Sequence, residues 1–346
     1  MTLVSECSIQ GRRPGFEDAH VFGAVNASGT VISYAAVLDG HGGSNCSRSI
    51  ARVFETLVAK IKLPNRRKVY PESVASVLRN HFKAFNEQLA KNGHFVTQGT
   101  TMCACFAIGE TIYFVNLGDS IATWKMVNGE SWYKLIDRWL DAAMFDKALK
   151  DGINQQDQWI RYRVAPRGEK VYKSTKVHSP QRDLLRIKEM GGFVTYGRLN
   201  GNLAVSRSLG DNWSDAVGKD PEVFWVPRRS FDIPYVLLMC DGMFEPYTFW
   251  RDFPIEPEAA SAAIFQEFEE QLHLSDAATT MARKAFNQNS HDNISLMVLR
   301  LWPVSPSRQP KNVFSVQDLD KLPIKDLPSR MTDDKGNTIE GPGPSP

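Results

Sequence analysis

The chain has 346 residues, 42% of them hydrophobic, with 41 Lys and Arg against 39 Asp and Glu for a formal charge of +2. That is enough apolar material for one large domain with a substantial core. The balanced charge argues against a polyanion-binding protein, so no nucleic acid is expected as a partner, and with no apolar run near membrane-spanning length no membrane is expected either.

The N-terminus lacks the basic-then-apolar order of a signal peptide and carries Thr2 where myristoylation needs glycine. Five cysteines at irregular spacing suit reduced thiols better than a disulfide framework, so the expected compartment is the cytoplasm, the nucleus or both.

In chain order, an apolar stretch from Tyr34 runs as a strand into Asp39-Gly40-His41-Gly42-Gly43. A helix follows with Ile50, Val53, Phe54, Leu57, Val58 and Ile61 on one face, capped by Ser44 or Ser47. The next helix starts at Pro71-Glu72-Ser73, carries the stripe Val74, Val77, Leu78, Phe82, Phe85 and Leu89, and stops at Asn92-Gly93. From Thr100 to Ile136 the pattern is of short strands, with hairpin signals at Gly109-Glu110, Gly118-Asp119 and Asn128-Gly129. Cys103 and Cys105 there share one strand face. Further strands end at Cys240 and begin at Ile294, and helices cover Glu256 to Leu274 and Asp276 to Asn287. Antiparallel sheets flanked by helix pairs are the architecture these elements suggest.

Acids stand at the ends of these strands: Asp39, Asp119, Asp241 and Asp292, with Glu17-Asp18 behind a loop holding Arg12 and Arg13. Carboxylates gathered in one place repel each other unless cations intervene. Hard divalent ions such as Mg²⁺ or Mn²⁺ favour oxygen ligands, and clustered ions of this kind activate water for phosphoryl hydrolysis.

The motifs Arg13-Pro-Gly-Phe-Glu-Asp18, Asp39-Gly-His-Gly-Gly43, Gly99-Thr-Thr101, Asn116-Leu-Gly-Asp-Ser120, Gly201-Asn-Leu-Ala-Val-Ser-Arg-Ser-Leu-Gly-Asp211, Cys240-Asp-Gly242 and His291-Asp-Asn293 span residues 5 to about 302. In this order they resemble the metal-dependent type 2C Ser/Thr protein phosphatases. The resemblance implies an α+β fold, a four-layer α-β-β-α sandwich with two central antiparallel sheets. It implies hydrolysis of phosphoserine and phosphothreonine in phosphoprotein substrates by a metal-activated water, without a phosphoenzyme. Two principal Mg²⁺ or Mn²⁺ ions are expected, with a third at Asp119, where turn capping is the alternative. Asp39 would bridge the two ions; Asp241 and Asp292 would hold one, and Glu17 with the Gly40 carbonyl the other. Asp18 would orient water, Arg13 hold the phosphate, and His41 protonate the leaving oxygen. His20, His94 and the remaining histidines are read as structural or surface groups, and Cys240 as core packing.

The catalytic unit is expected over residues 1–302, as a monomer, with a Pro-rich disordered tail over 303–346. Two departures from the family pattern stand out: Ile121-Ala122 after Asp119-Ser120, and Arg138-Trp139-Leu140 where a His-Lys-Pro-like turn belongs. Residues 138–184 read as a basic insertion near the family's flap, either a solvated loop or a docking surface for an acidic partner. A catalytically silent scaffold of the same fold is the alternative function, disfavoured because Asp39, Asp241 and Asp292 are all present.

Overall fold

A computed structural model describes residues 1–27, 29–64, 70–127, 133–135, 171–250, 253–272, 276–301, 331–332 and 338–339. The strands that open the chain are β1 (Thr2–Ile9), β2 (Ala19–Ala27), β3 (Thr30–Leu38) and β4 (Gly40–His41). Helices α1 (Asn45–Ala59) and α2 (Pro71–Lys91) follow, then β5 (Gly99–Thr100), β6 (Met102–Ile108), β7 (Thr111–Leu117), β8 (Ile121–Met126), β9 (Tyr133–Leu135) and β10 (Val171–Ser174). The second half holds α3 (Leu184–Glu189), β11 (Val194–Thr195), β12 (Arg198–Leu199), β13 (Leu209–Gly210), β14 (Glu222–Pro227), β15 (Phe231–Met239) and α4 (Asp241–Phe244). It ends with the small pair β16 (Phe249–Trp250) and β17 (Phe253–Pro254), then α5 (Pro257–Glu270), α6 (Ala277–Asn287) and β18 (Ile294–Arg300).

Two antiparallel sheets stack at the centre, one ordered β1-β18-β15-β8-β10 and the other β2-β3-β6-β7-β14-β9. Strand β6 shows why they pack as inner layers: every residue is buried, and alternate side chains serve different cores. Met102, Ala104 and Phe106 face the cluster beneath α1 and α2. Cys103 and Cys105 point the other way, into the cluster between the sheets with Phe114, Trp124 and Leu238. A third cluster joins the outer face of the five-stranded sheet to α5 and α6 through Ile264, Phe265, Met281 and Leu296. The expected α-β-β-α sandwich is therefore the observed one.

Helix α2 follows its predicted limits closely, with Pro71 in its first turn and Asn92 at its C-cap. On α1, Val53 is 45% exposed, so the apolar face is narrower than the pattern implied. Ser44 occupies the N-cap without a side-chain bond, while Ser47 is buried and donates its hydroxyl proton to the Glu17 carbonyl.

The hairpin expectations divide. Gly109-Glu110 joins the paired strands β6 and β7. Gly118-Asp119 makes no hairpin: it carries the chain from β7 in one sheet to β8 in the other. Gly118 has φ +107°, and a Cβ there would lie 2.6 Å from the Thr101 side chain, so the crossing needs glycine. Asn128-Gly129 lies outside the described residues, and β9 beyond it pairs with β14 rather than with β8.

Of the basic insertion expected over 138–184, only the part from Val171 onward falls among the described residues. Strand β10 pairs with β8, Val171 against Met126 through Ser174 against Thr123. Val171–Ser174 thus belong to the five-stranded sheet, and Leu184 opens α3. His178-Ser179-Pro180 follows β10, and Gly118 N donates to His178 Nδ1 at 3.0 Å. Arg138–Leu140 lie outside the described residues, as do Arg161, Arg163, Arg167 and Lys170. Two of the remaining cations are paired within the fold. Arg182 donates to Glu258 at 2.5 Å and pairs with Glu256, while Lys176 lies 4.0 Å from Glu258. The tail also falls outside the described residues, apart from Met331–Thr332 pairing with Thr338–Ile339. No helix among the described residues is long and apolar enough to cross a membrane.

Candidate active site

The acids meet at one end of the two sheets because three close backbone approaches and the Asn293 side chain bring their loops together. Beyond β3 the Asp39 carbonyl accepts from Thr101 N at 2.8 Å and Thr100 Oγ1 at 3.0 Å, and Asp39 N donates to Thr101 Oγ1. That locks the aspartate to the Gly99-Thr-Thr101 segment. A Cβ on Gly40 would fall 2.2 Å from the Glu17 carbonyl oxygen, so glycine here lets the Glu17-Asp18 loop lie directly on the Asp39 loop. Glu17 N in turn donates to Asn293 Oδ1, and Asn293 Nδ2 donates to the carbonyls of Gln10 and Gly15. Finally a Cβ on Gly242 would meet the Asn293 carbonyl oxygen at 2.0 Å, so the Asp241 and Asp292 loops also touch through a glycine.

The result is a crowd of carboxylates. Donor atoms of Asp39, Cys240 and Asp241 lie within 4.8 Å of one another. Asp18 is buried, accepting from Ser295 Oγ at 2.6 Å through one oxygen; its other oxygen and one oxygen of Asp241 have no hydrogen-bond partner. Burial, reinforced by the neighbouring acids, pushes Asp39 and Asp241 well above the usual carboxylate range. Burial likewise raises Asp18 and Asp119 to about 6. Clustered carboxylates with unpartnered oxygens and mutual repulsion are the donor chemistry that hard divalent ions favour, so the donor set fits Mg²⁺ or Mn²⁺.

The other expected site residues stand at the border. Asp292 Oδ1 accepts from Asn293 N and from Arg13 Nε at 2.8 Å, with the Arg13 side chain 44% exposed. The neighbouring Arg12 is committed elsewhere: it donates to the Phe286 and Ser290 carbonyls and stacks on the Phe286 ring. His20 pairs with Glu6 at 3.0 Å and His94 is exposed, in keeping with structural and surface roles.

Two features went unread in the sequence. Cys240 lies in the inter-sheet core as expected, yet its thiol also borders Asp39 and Asp241. It accepts from Ser295 N and donates to the Asn293 carbonyl, and burial raises its pKa well above normal, so it stays a thiol. The second is Asp211, whose Oδ2 lies 2.5 Å from His41 Nε2. Its signal was present, since it closes the Gly201–Asp211 motif, but nothing local says which residue it faces.

A family model described as protein phosphatase 2C matches residues 2–123 and 166–294. The chain belongs to the protein phosphatase 2C family. Its members are protein serine/threonine phosphatases and are generally dependent on Mg²⁺ or Mn²⁺. Among relatives, the integrin-linked kinase-associated serine/threonine phosphatase 2C of Bos taurus is 28% identical over 84% of this chain and 75% of its own length. Protein phosphatase 2C homolog 1 of Saccharomyces cerevisiae is 26% identical over 84% of this chain and 89% of its own. Solved structures share the fold. A C. elegans sex-determining protein superposes with a TM-score of 0.56 at 24% identity, over 86% of this chain and 64% of that one. A serine-threonine phosphatase 2C from Toxoplasma gondii gives 0.55 at 16% identity, over 85% and 92%.

Proposed function

We propose that this protein phosphatase 2C hydrolyses phosphoserine and phosphothreonine in proteins by attack of a metal-activated water, with no phosphoenzyme. The observation that carries the reading is the crowd of mutually repelling carboxylates around Asp39 and Asp241, which Arg13 meets only at the Asp292 border. Asp39 would serve both principal ions, Asp241 and Asp292 one of them, Glu17 and the Gly40 carbonyl the other, and Asp119 a third. When bound, Mg²⁺ or Mn²⁺ supplies Lewis acidity that makes water nucleophilic near neutral pH and offsets phosphate charge.

The chain's own groups do the rest. Asp18, held by Ser295 Oγ, orients the attacking water. Arg13 meets Asp292 through Nε, and its exposed guanidinium fork matches two phosphate oxygens. His41 delivers a proton to the departing serine or threonine oxygen. The cysteines take no part: burial raises the Cys46, Cys103, Cys105 and Cys240 thiols above their ordinary range, which disfavours a thiolate nucleophile. Five free cysteines support a reducing compartment, the cytoplasm or nucleus.

The deciding measurement is phosphate release from a phosphothreonine peptide with Mg²⁺, with Mn²⁺ and with chelator. Turnover only with metal supports the reading; undiminished turnover in chelator, or none under any condition, overturns it.

A further inference from the structure

We infer that Asp211 is a positioning residue for His41, an assignment that rests on the leaving-group role proposed for His41 above. Three segments far apart in sequence converge on the pair. In the sheet ordered β13-β5-β4, Gly99 stands opposite His41 on one side and opposite Gly210 on the other. His41 and Asp211, the residue after Gly210, are thereby delivered to the same central glycine. Their side chains close over it: Nε2 and Oδ2 are 2.5 Å apart, and a Cβ on Gly99 would fall 2.0 Å from that oxygen and 2.4 Å from that nitrogen. Any side chain at 99 would wedge the two apart.

Asp211 is itself held for this contact. Its side chain is 3% exposed, Ser208 Oγ donates to the same Oδ2 at 2.6 Å, and its backbone N donates to the Gln98 carbonyl. Its φ of +48° lies in the left-handed region, which Asp and Asn tolerate better than most residues. His41 differs in being 24% exposed.

An imidazole held through Nε2 has one nitrogen left for chemistry. Asp211 keeps the Nε2 proton, so the proton given to the substrate leaves from Nδ1. As the attacking water forms its bond to phosphorus, the bond from phosphorus to the serine or threonine oxygen breaks and its electron pair stays on that oxygen. That pair accepts the Nδ1 proton, the water's own proton goes to solvent, and the ring, neutral with Nε2–H, regains a proton from water.

The test uses Asp211→Asn, which suits the left-handed backbone, and Gly99→Ala, which disturbs the pair while leaving both partners in place. Both should lower kcat on a phosphoserine peptide roughly 10- to 100-fold, with KM within about twofold, and the loss on an aryl phosphate should be at least about tenfold smaller because that leaving group needs little proton help. Adding Asp211→Asn to His41→Ala should cost nothing further. Independently of activity, long-range ¹H–¹⁵N spectra of ¹⁵N-histidine protein should show Nε2 of His41 protonated in the wild type and its signals shifted in Asp211→Asn. Equal losses on both substrates, additive losses with His41→Ala, or unchanged His41 signals would overturn the pairing. A wild type inactive with metal would overturn the proposed function instead, while an Nε2–H tautomer lost in Asp211→Asn would still support the pair.

Discussion

Two groups of largely covered acids in this protein are treated in opposite ways. Asp183 is only 10% exposed, yet it accepts from Arg207 Nε at 2.7 Å, Arg207 Nη2 at 2.9 Å, Ser206 Oγ at 2.9 Å and Arg186 Nε at 3.2 Å. Burial works against its charge, but Arg207 and Arg186 together pull it well below the usual carboxylate range. Around Asp39 and Asp241, burial and further acids act in the same direction and push the carboxyls up. Where the fold supplies its own cations, a buried acid is a structural fastening. Where acids outnumber the one arginine at their border, Arg13 on Asp292, the balancing charge must come from solution, and that difference separates the site from the scaffold.

The sharpest way to break this comparison is Asp241→Asn. Metal-dependent phosphate release should fall by about 10³-fold or more, since a lost ligand charge weakens the ions that activate water. The metal-free variant should unfold at no lower denaturant concentration than the wild type, because a like charge has been removed from the crowd. A variant that kept full activity would show that the acids do not form the metal site.

Arg207→Ala should have the opposite signature. Arg207 is nearly buried and pairs with Asp183, so its loss strands a charge and should cost about 3–5 kcal/mol in denaturant unfolding. A cost under about 1 kcal/mol would mean the paired cluster is not the fastening described.

The pH dependence distinguishes the two groups in one experiment. Asp18 and Asp119 rise from 3.8 to about 6 on folding, so between those values the native state binds more protons than the unfolded chain. Stability of the metal-free protein should therefore decrease as pH rises from about 4 through 6, by of order 3 kcal/mol, and the upward shifts of Asp39 and Asp241 extend the decline to higher pH. Asp183, shifted down, contributes stability that is present above about 4 and lost only as pH falls below it. Saturating Mn²⁺ should remove the decline at pH 6 to 7.5. Urea melts across this range, with chelator and with metal, provide the check, and a metal-free protein that gains stability from pH 4 to 6 would contradict it.

The smallest effect is expected at Arg13. It sits at the exposed border, so Arg13→Ala should raise KM for a phosphopeptide about tenfold, with kcat changed less than threefold. Steady-state kinetics test this, and a fall in kcat with KM unchanged would move Arg13 from binding to chemistry.

Much of the molecule was legible along the chain because its information is local. Helix α2 could be read from Pro71 to Asn92, since a 3.6-residue stripe and its terminal signals lie within one segment. Two-residue alternation placed Cys103 and Cys105 on one face, and the acids at strand ends could be counted before any loop was placed. Sequence by itself determined these elements, the order of the motifs and the residue types available for a site.

Only the tertiary structure decided which sheet each strand joins, and the physical reason is that a turn signal records a change of direction without naming the next neighbour. Gly118-Asp119 could have closed a hairpin, and instead crosses between sheets because β8 finds its partners in β15 and β10. The charge environments were equally remote. Asp211 meets His41 across 170 residues and Arg13 meets Asp292 across 279. Asp183 and Asp241 are the same residue type on the page, and it is the cations packed against one and the acids packed against the other that set their opposite roles.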